Sequence, residues 1–136
     1  MLTSQFVDLP QVSDARGTLC FAENRHLPFE LRRVFWIFGV PEGETRGGHA
    51  HTSCAEVVFP VRGSFDILVD DGHERTLHHM DDPSRGILIP PCVWCELSRF
   101  SADACCVVFA SHDYQAEGYI HDYATFLRTC RQRDEQ

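Results

Sequence analysis

The chain of 136 residues contains no lysine, so all 12 of its basic residues are arginine. That absence excludes Schiff-base chemistry on a lysine and a phosphate loop built around one. Tyrosine is scarce too, and none occurs before Tyr114. No apolar run approaches the roughly 20 residues that span a bilayer, and the start, MLTSQFVDLPQ, has no basic segment followed by an apolar one. No membrane partner is therefore expected, and the cytoplasm is the expected compartment. An excess of positive charge is also missing: 20 acids against 12 bases leave a formal charge of -8, which argues against nucleic acid as a partner. A small anionic ligand gripped by local arginines stays compatible with that balance.

What is present describes a folded globular chain. Hydrophobic residues at 43% and charged residues at 24% argue against disorder, and the length suits one domain over 1-136. Seven cysteines is an odd number, and Cys105-Cys106 sits inside an apolar run that reads as a buried strand, so most are expected to be reduced thiols.

Short strands recur at regular spacing. LRRVFWIFGV (31-40) is aromatic and β-branched and ends at the turn Pro41-Glu42-Gly43. EVVFPVRGSFDILV (56-69) holds two strand-like runs. Asp70-Asp71-Gly72 predicts a hairpin with ERTLHHM as its return strand. GILIPP (86-91), WCELSRF (94-100) and ACCVVFAS (104-111) follow. Such a series predicts an all-β barrel or sandwich. One short C-terminal helix is expected within YIHDYATFLRTCR, where Tyr123, Phe126, Leu127 and Cys130 fall at helical spacing behind Asp122 as N-cap. The last residues, RQRDEQ, are expected to fray.

Chemistry concentrates between Gly43 and Gly63, in the pattern G-x5-H-x-H-x4-E-x6-G. On a strand, His49 and His51 project to the same side, and Glu56 can return to the same cavity. This pattern resembles the first motif of the cupin family, small jelly-roll β-barrels. In metal-binding cupins a second motif supplies a further histidine. Here the corresponding segment, Gly86 to Cys95, has Cys92 at a glycine position and Cys95 where that histidine would fall. His49, His51, Glu56 and Cys95 remain a candidate zinc or iron set on ligand chemistry alone. Cys92 and Cys95 otherwise read as barrel residues. His73, His78, His79, His112 and His121 read as surface or turn residues, and His26 as a loop residue.

A narrower resemblance runs through most of the chain: Asp14-Ala15-Arg16-Gly17-Thr18-Leu19, Pro28-Phe29, Arg33-Val34, Arg46-Gly47-Gly48-His49-Ala50-His51, Arg62-Gly63-Ser64, Gly86 to Pro91, Trp94-Cys95-Glu96, and the ending Tyr119-Ile120-His121-Asp122-Tyr123 with Phe126-Leu127. These segments resemble the cupin-fold nucleotide-sugar 3,4-ketoisomerases, which act on dTDP-4-keto-6-deoxyglucose on the way to dTDP-linked 3-amino sugars. The resemblance implies a dTDP-linked keto sugar as partner, no cofactor, no metal, and a homodimer that exchanges or adds an N-terminal strand. It implies His49 as base and His51 as shuttle between the sugar oxygens, a task suited to a group that titrates near neutrality. Arg16, Arg33 and Arg46 match positions suited to the diphosphate. Trp94 is expected either to stack on the thymine or sugar or to fill the barrel core, and Glu96 and Glu56 to orient histidines or hydroxyls. Two residues depart from the family: its tyrosine in the strand 33-38 is replaced by Phe35 or Trp36, neither of which carries a hydroxyl, and the position after His51 is Thr52, not a base. A different sugar, a related epimerisation, a metal-dependent cupin and a non-catalytic nucleotide-sugar-binding cupin therefore stay open.

Overall fold

A computed structural model describes residues 3-136. Twelve strands and one helix appear in the order β1 (Phe6–Asp8), β2 (Gln11–Asp14), β3 (Gly17–Cys20), β4 (Arg33–Phe38), β5 (Arg46–His51), β6 (Glu56–Arg62), β7 (Phe65–Asp70), β8 (Arg75–Met80), β9 (Arg85–Ile89), β10 (Trp94–Ser98), β11 (Cys105–Ala110), β12 (Tyr119–Ile120) and α1 (Tyr123–Asp134). Two five-stranded antiparallel sheets, β1-β9-β6-β11-β4 and β12-β5-β10-β7-β8, form the jelly roll.

Period-two alternation sorts side chains into the space between the sheets or onto their outer faces. Val58, Phe65, Ile67, Ile87, Leu97 and Val108 fill the interior. Their neighbours Val57, Phe59 and Leu88 point out of the first sheet and are covered by Leu27, Phe29 and Leu31. Ala50 and Trp94 point out of the second sheet and are covered by Phe126 and Cys130 of α1. The helix is docked by this apolar face and started by Asp122, whose carboxylate accepts the Thr125 backbone N–H.

The expected strands and helix appear, with four differences. The hairpin loop after Asp70 has four residues, Asp71 to Glu74, and the Asp71 carboxylate accepts the backbone N–H groups of His73 and Glu74. β6 runs through Pro60 without breaking, because a register shift at Cys105/Cys106 lies beside the residue that has no N–H to donate. The expected fraying of RQRDEQ is corrected: α1 continues to Asp134, held where Arg133 donates to the Asp71 carbonyl at 3.2 Å and His73 meets Asp134 at 2.8 Å. A two-stranded ribbon, β2-β3, pairs only with itself, and all its residues are exposed, with Val12 at 59% and Leu19 at 61%. No helix among the described residues is long and apolar enough to cross a membrane.

Candidate active site

Two strand registers assemble the site. β5 pairs with β10, setting His49 opposite Cys95, and with β12, setting His51 opposite Tyr119. Since Ala50 faces α1, alternation turns His49 and His51 into the barrel. Glycine makes the first pairing possible: Gly47 has φ +81°, and a Cβ there would lie 3.0 Å from the Cys95 carbonyl oxygen. The second pairing is pinned by the Thr52 N–H, which donates to the Gly118 carbonyl at 2.9 Å.

The imidazoles of His49 and His51 meet edge to face, 5.0 Å between centroids. Tyr119 lies 4.9 Å from His49 and 4.4 Å from His51, and His121 stacks on Tyr119 at 5.3 Å. Glu56 opens β6 and is buried, with Oε1 at 3.3 Å from His51 Nε2. This contact is near enough for an ion pair but is not aligned as a hydrogen bond, so His51 Nε2 is a buried nitrogen with no hydrogen-bond partner. Burial, and then the neighbouring charge of His51, lower the His49 pKa from 6.5 to about 4, against a smaller upward pull from Glu56. His49 is therefore neutral near pH 7 and able to accept a proton. Burial, followed by the charge of Glu56, pushes the Cys95 thiol far above its ordinary range, so it stays neutral.

Arg33 opens β4 and is half-buried, its guanidinium 4.4 Å from the Phe35 ring centroid and 5.2 Å from that of Tyr114. Together with His51, Thr52 and Tyr119 it lines a pocket at the mouth of the barrel. A larger cleft, about 1010 Å³, opens elsewhere, beside Phe6, Thr76, His78 and Arg133, and has neither His49 nor His51 in its wall.

The expected site residues separate by position. His49, His51, Glu56 and Arg33 come together. Arg46 is exposed at the start of β5 and forms no ion pair among the described residues. Arg16 is not at the histidines of its own chain: it sits at the β2-β3 turn, its side chain 90% exposed and paired with Asp14 at 2.7 Å. For Trp94 the stacking role is corrected and the core role holds, and Glu96 is a correction. Cys95 and Leu97 face the interior, so alternation sends Trp94 and Glu96 to the outer face of β10. Trp94 fills the core beneath α1, 5.2 Å from Tyr123 and 5.7 Å from Phe126, and Glu96 approaches Arg75 at 3.8 Å. His121 is at the surface, as expected, yet its ring also borders the site, 6.1 Å from His49. Tyr119 is absent from the expected site residues because β12 is only two residues long and leaves no periodic pattern.

His49, His51 and Glu56 place their donor atoms within 4.8 Å of one another, a spacing that suits a metal ion. The fourth cupin position, Cys95, is a buried thiol across from His49 in the β5-β10 pair. Cys92 contributes nothing to that set: it turns the chain at φ 62°, which accounts for the glycine usual there, and its thiol faces the Thr52 carbonyl at 3.7 Å.

A family model described as FdtA: WxcM-like, C-terminal, matches residues 3–131. The chain belongs to that family. This FdtA/WxcM-like chain is 33% identical over 128 residues to a TDP-4-oxo-6-deoxy-alpha-D-glucose-3,4-oxoisomerase from Aneurinibacillus thermoaerophilus, covering 93% of this chain and 92% of that one. Its fold is similar to that of the WlaRB TDP-quinovose 3,4-ketoisomerase from Campylobacter jejuni, at 35% identity and TM-score 0.88 over 94% of this chain and 99% of the other. It is similar also to the 3,4-ketoisomerase QdtA from Thermoanaerobacterium thermosaccharolyticum, at 29% identity and TM-score 0.93 over 98% of each chain. That QdtA structure is a histidine-to-asparagine variant in complex with TDP-4-keto-6-deoxyglucose.

Proposed function

We propose that this FdtA/WxcM-like chain converts a TDP-4-keto-6-deoxyhexose into its 3-keto isomer by proton transfer between histidines. The observation that carries the reading is the convergence of His49 and His51, rings 5.0 Å apart, with Glu56 3.3 Å from His51. His49, neutral at working pH, takes the C3 proton, and the C3–C4 double bond forms as the C4 carbonyl becomes an enolate oxygen. His51 carries a proton from the C3 oxygen towards the C4 oxygen, held in place by Glu56. The proton held on His49 exchanges with water while the enediol lasts, and its delivery to C4 leaves the ketone at C3, or to C3 restores the substrate. No electrons leave the sugar and no net proton is lost, so the step requires no redox cofactor.

Arg33 at the pocket mouth and Arg46 on the strand of the histidines suit the diphosphate, because a guanidinium fork matches phosphate oxygens. A homodimer completes the site in this reading. The unpaired ribbon β2-β3 has apolar residues in solvent, and the edge strand β4 leaves Val34, Trp36 and Phe38 exposed at 44%, 60% and 68%. Two such features on one chain cover each other when the ribbon of one subunit pairs with β4 of a second, and the turn carrying Arg16 then approaches the second subunit's nucleotide.

A metal-dependent cupin is the second reading, favoured by the three convergent donors. Incubation of the purified protein with TDP-4-keto-6-deoxyglucose, with and without prior chelation, separates the two by NMR of the product. A 3-keto sugar formed equally in both samples supports the histidine mechanism. Product lost on chelation and restored by zinc or iron overturns it, and TDP-sugar binding without product moves the chain to a non-catalytic binding role.

A further inference from the structure

Tyr119 is the one tyrosine whose ring reaches both histidines, and the proposed reaction leaves it a task. Turning a C4 carbonyl into an enediol builds negative charge on the C4 oxygen at the moment His49 removes the C3 proton. A donor positioned at that oxygen lowers the barrier. β4 turns Arg33, Phe35 and Ile37 towards the interior and none of them carries a hydroxyl. Of the chain's three tyrosines, Tyr114 is 61% exposed, and Tyr123 donates its hydroxyl to Asp70 on the outer side of the second sheet. Tyr119 lies opposite His51 in the β12-β5 pair, with ring centroids 4.4 Å from His51 and 4.9 Å from His49.

We propose that Tyr119 is a catalytic residue, the acid that protonates the C4 oxygen as His49 takes the C3 proton. This inference rests on the isomerase reading above. The phenol's proton goes to the C4 oxygen, leaving a phenolate beside Arg33. His51 removes the proton from the C3 oxygen and passes it to the phenolate, and His49, having exchanged with water, delivers a proton to C4. Each group ends as it began, and the sugar has exchanged a C4 ketone for a C3 ketone. Burial raises the phenol's pKa and the facing Arg33 guanidinium pulls it back down, so the neutral phenol is the form present before reaction and its anion has a counterion. The flat stack of His121 on the same ring, 1° from parallel, fixes its orientation.

The test compares the wild type with Tyr119→Phe on TDP-4-keto-6-deoxyglucose, measuring kcat, KM and TDP affinity. Loss of the donor is expected to lower kcat by about 10²- to 10³-fold, with TDP affinity and the melting temperature unchanged. A kcat within about threefold of wild type overturns the assignment. Replacing Tyr119 by difluorotyrosine keeps the ring and makes the phenol more acidic, so the alkaline limb of the kcat profile is expected to move to lower pH. An unmoved limb overturns the proposal even if Tyr119→Phe fails to fold. The wild type separates this inference from the reading beneath it: an inactive wild type defeats the isomerase reading, whereas an active wild type with an equally active Tyr119→Phe defeats only the role of Tyr119.

Discussion

Cys95 lies directly opposite His49 across the β5-β10 pair, and its buried thiol is held neutral where metal-binding cupins have a ligand. The pairing gives opposite expectations for the two readings of the site. In the histidine mechanism Cys95→Ser, nearly isosteric, is expected to keep kcat within about threefold, since the thiol moves no proton. Metal chemistry drawing on the thiol would instead lose metal and activity together, which metal analysis and a steady-state assay on one preparation would distinguish.

The pH dependence follows from His49. Its pKa in the fold is about 4 against 6.5 in an exposed imidazole, so between these values the unfolded chain binds more protons than the native one. The contribution of this group to stability is therefore complete above pH 6.5 and declines as pH falls towards 4. Activity follows the same residue: kcat/KM is expected to hold a plateau through pH 6 and reach half of it near pH 4. A half-point near 6.5 would contradict the lowering of the His49 pKa by burial.

Glu56 is expected to position His51 without exchanging protons with the sugar. Glu56→Gln keeps the shape and removes the charge 3.3 Å from His51 Nε2. A fall in kcat of about 10- to 10²-fold with little change in KM is the expected result. A rise in KM alone would assign Glu56 to substrate binding.

The proposed dimer is tested on β4. Trp36 is 60% exposed on an edge strand between Val34 and Phe38, where a charge would face an apolar partner. Trp36→Arg is expected to convert a dimer to a monomer in sedimentation velocity, and to lower activity if Arg16 serves the second subunit. A monomeric wild type, or an unaffected dimer, would remove β4 from the interface.

Phe126 anchors the helix. It is wholly buried against Trp94 and Tyr123, so Phe126→Ala is expected to cost about 3–5 kcal/mol by denaturant unfolding. Because β12 directly precedes α1, the same variant is expected to loosen Tyr119 and lower kcat.

The barrel from β4 to β11 is legible in the chain because its strands alternate, and the glycines, prolines and Asp-Gly turns that bound them have few other uses. β2 and β3 are not legible: wholly exposed four-residue strands have no buried face to leave a pattern. His49, His51 and Glu56 are readable because two residues apart on a strand means one face. The same rule places Trp94 and Glu96 away from any face that holds Cys95. Tyr119 and His121 enter through a two-residue strand fixed by tertiary pairing, which no local periodicity announces.

The most direct test incubates chelator-treated protein with TDP-4-keto-6-deoxyglucose in heavy water and follows deuterium at C3 by NMR. The account predicts deuterium at C3 of the recovered substrate and a 3-keto product with the wild type, and neither with His49→Asn. Equal exchange in the variant, or none in a wild type that binds the sugar nucleotide, would contradict it.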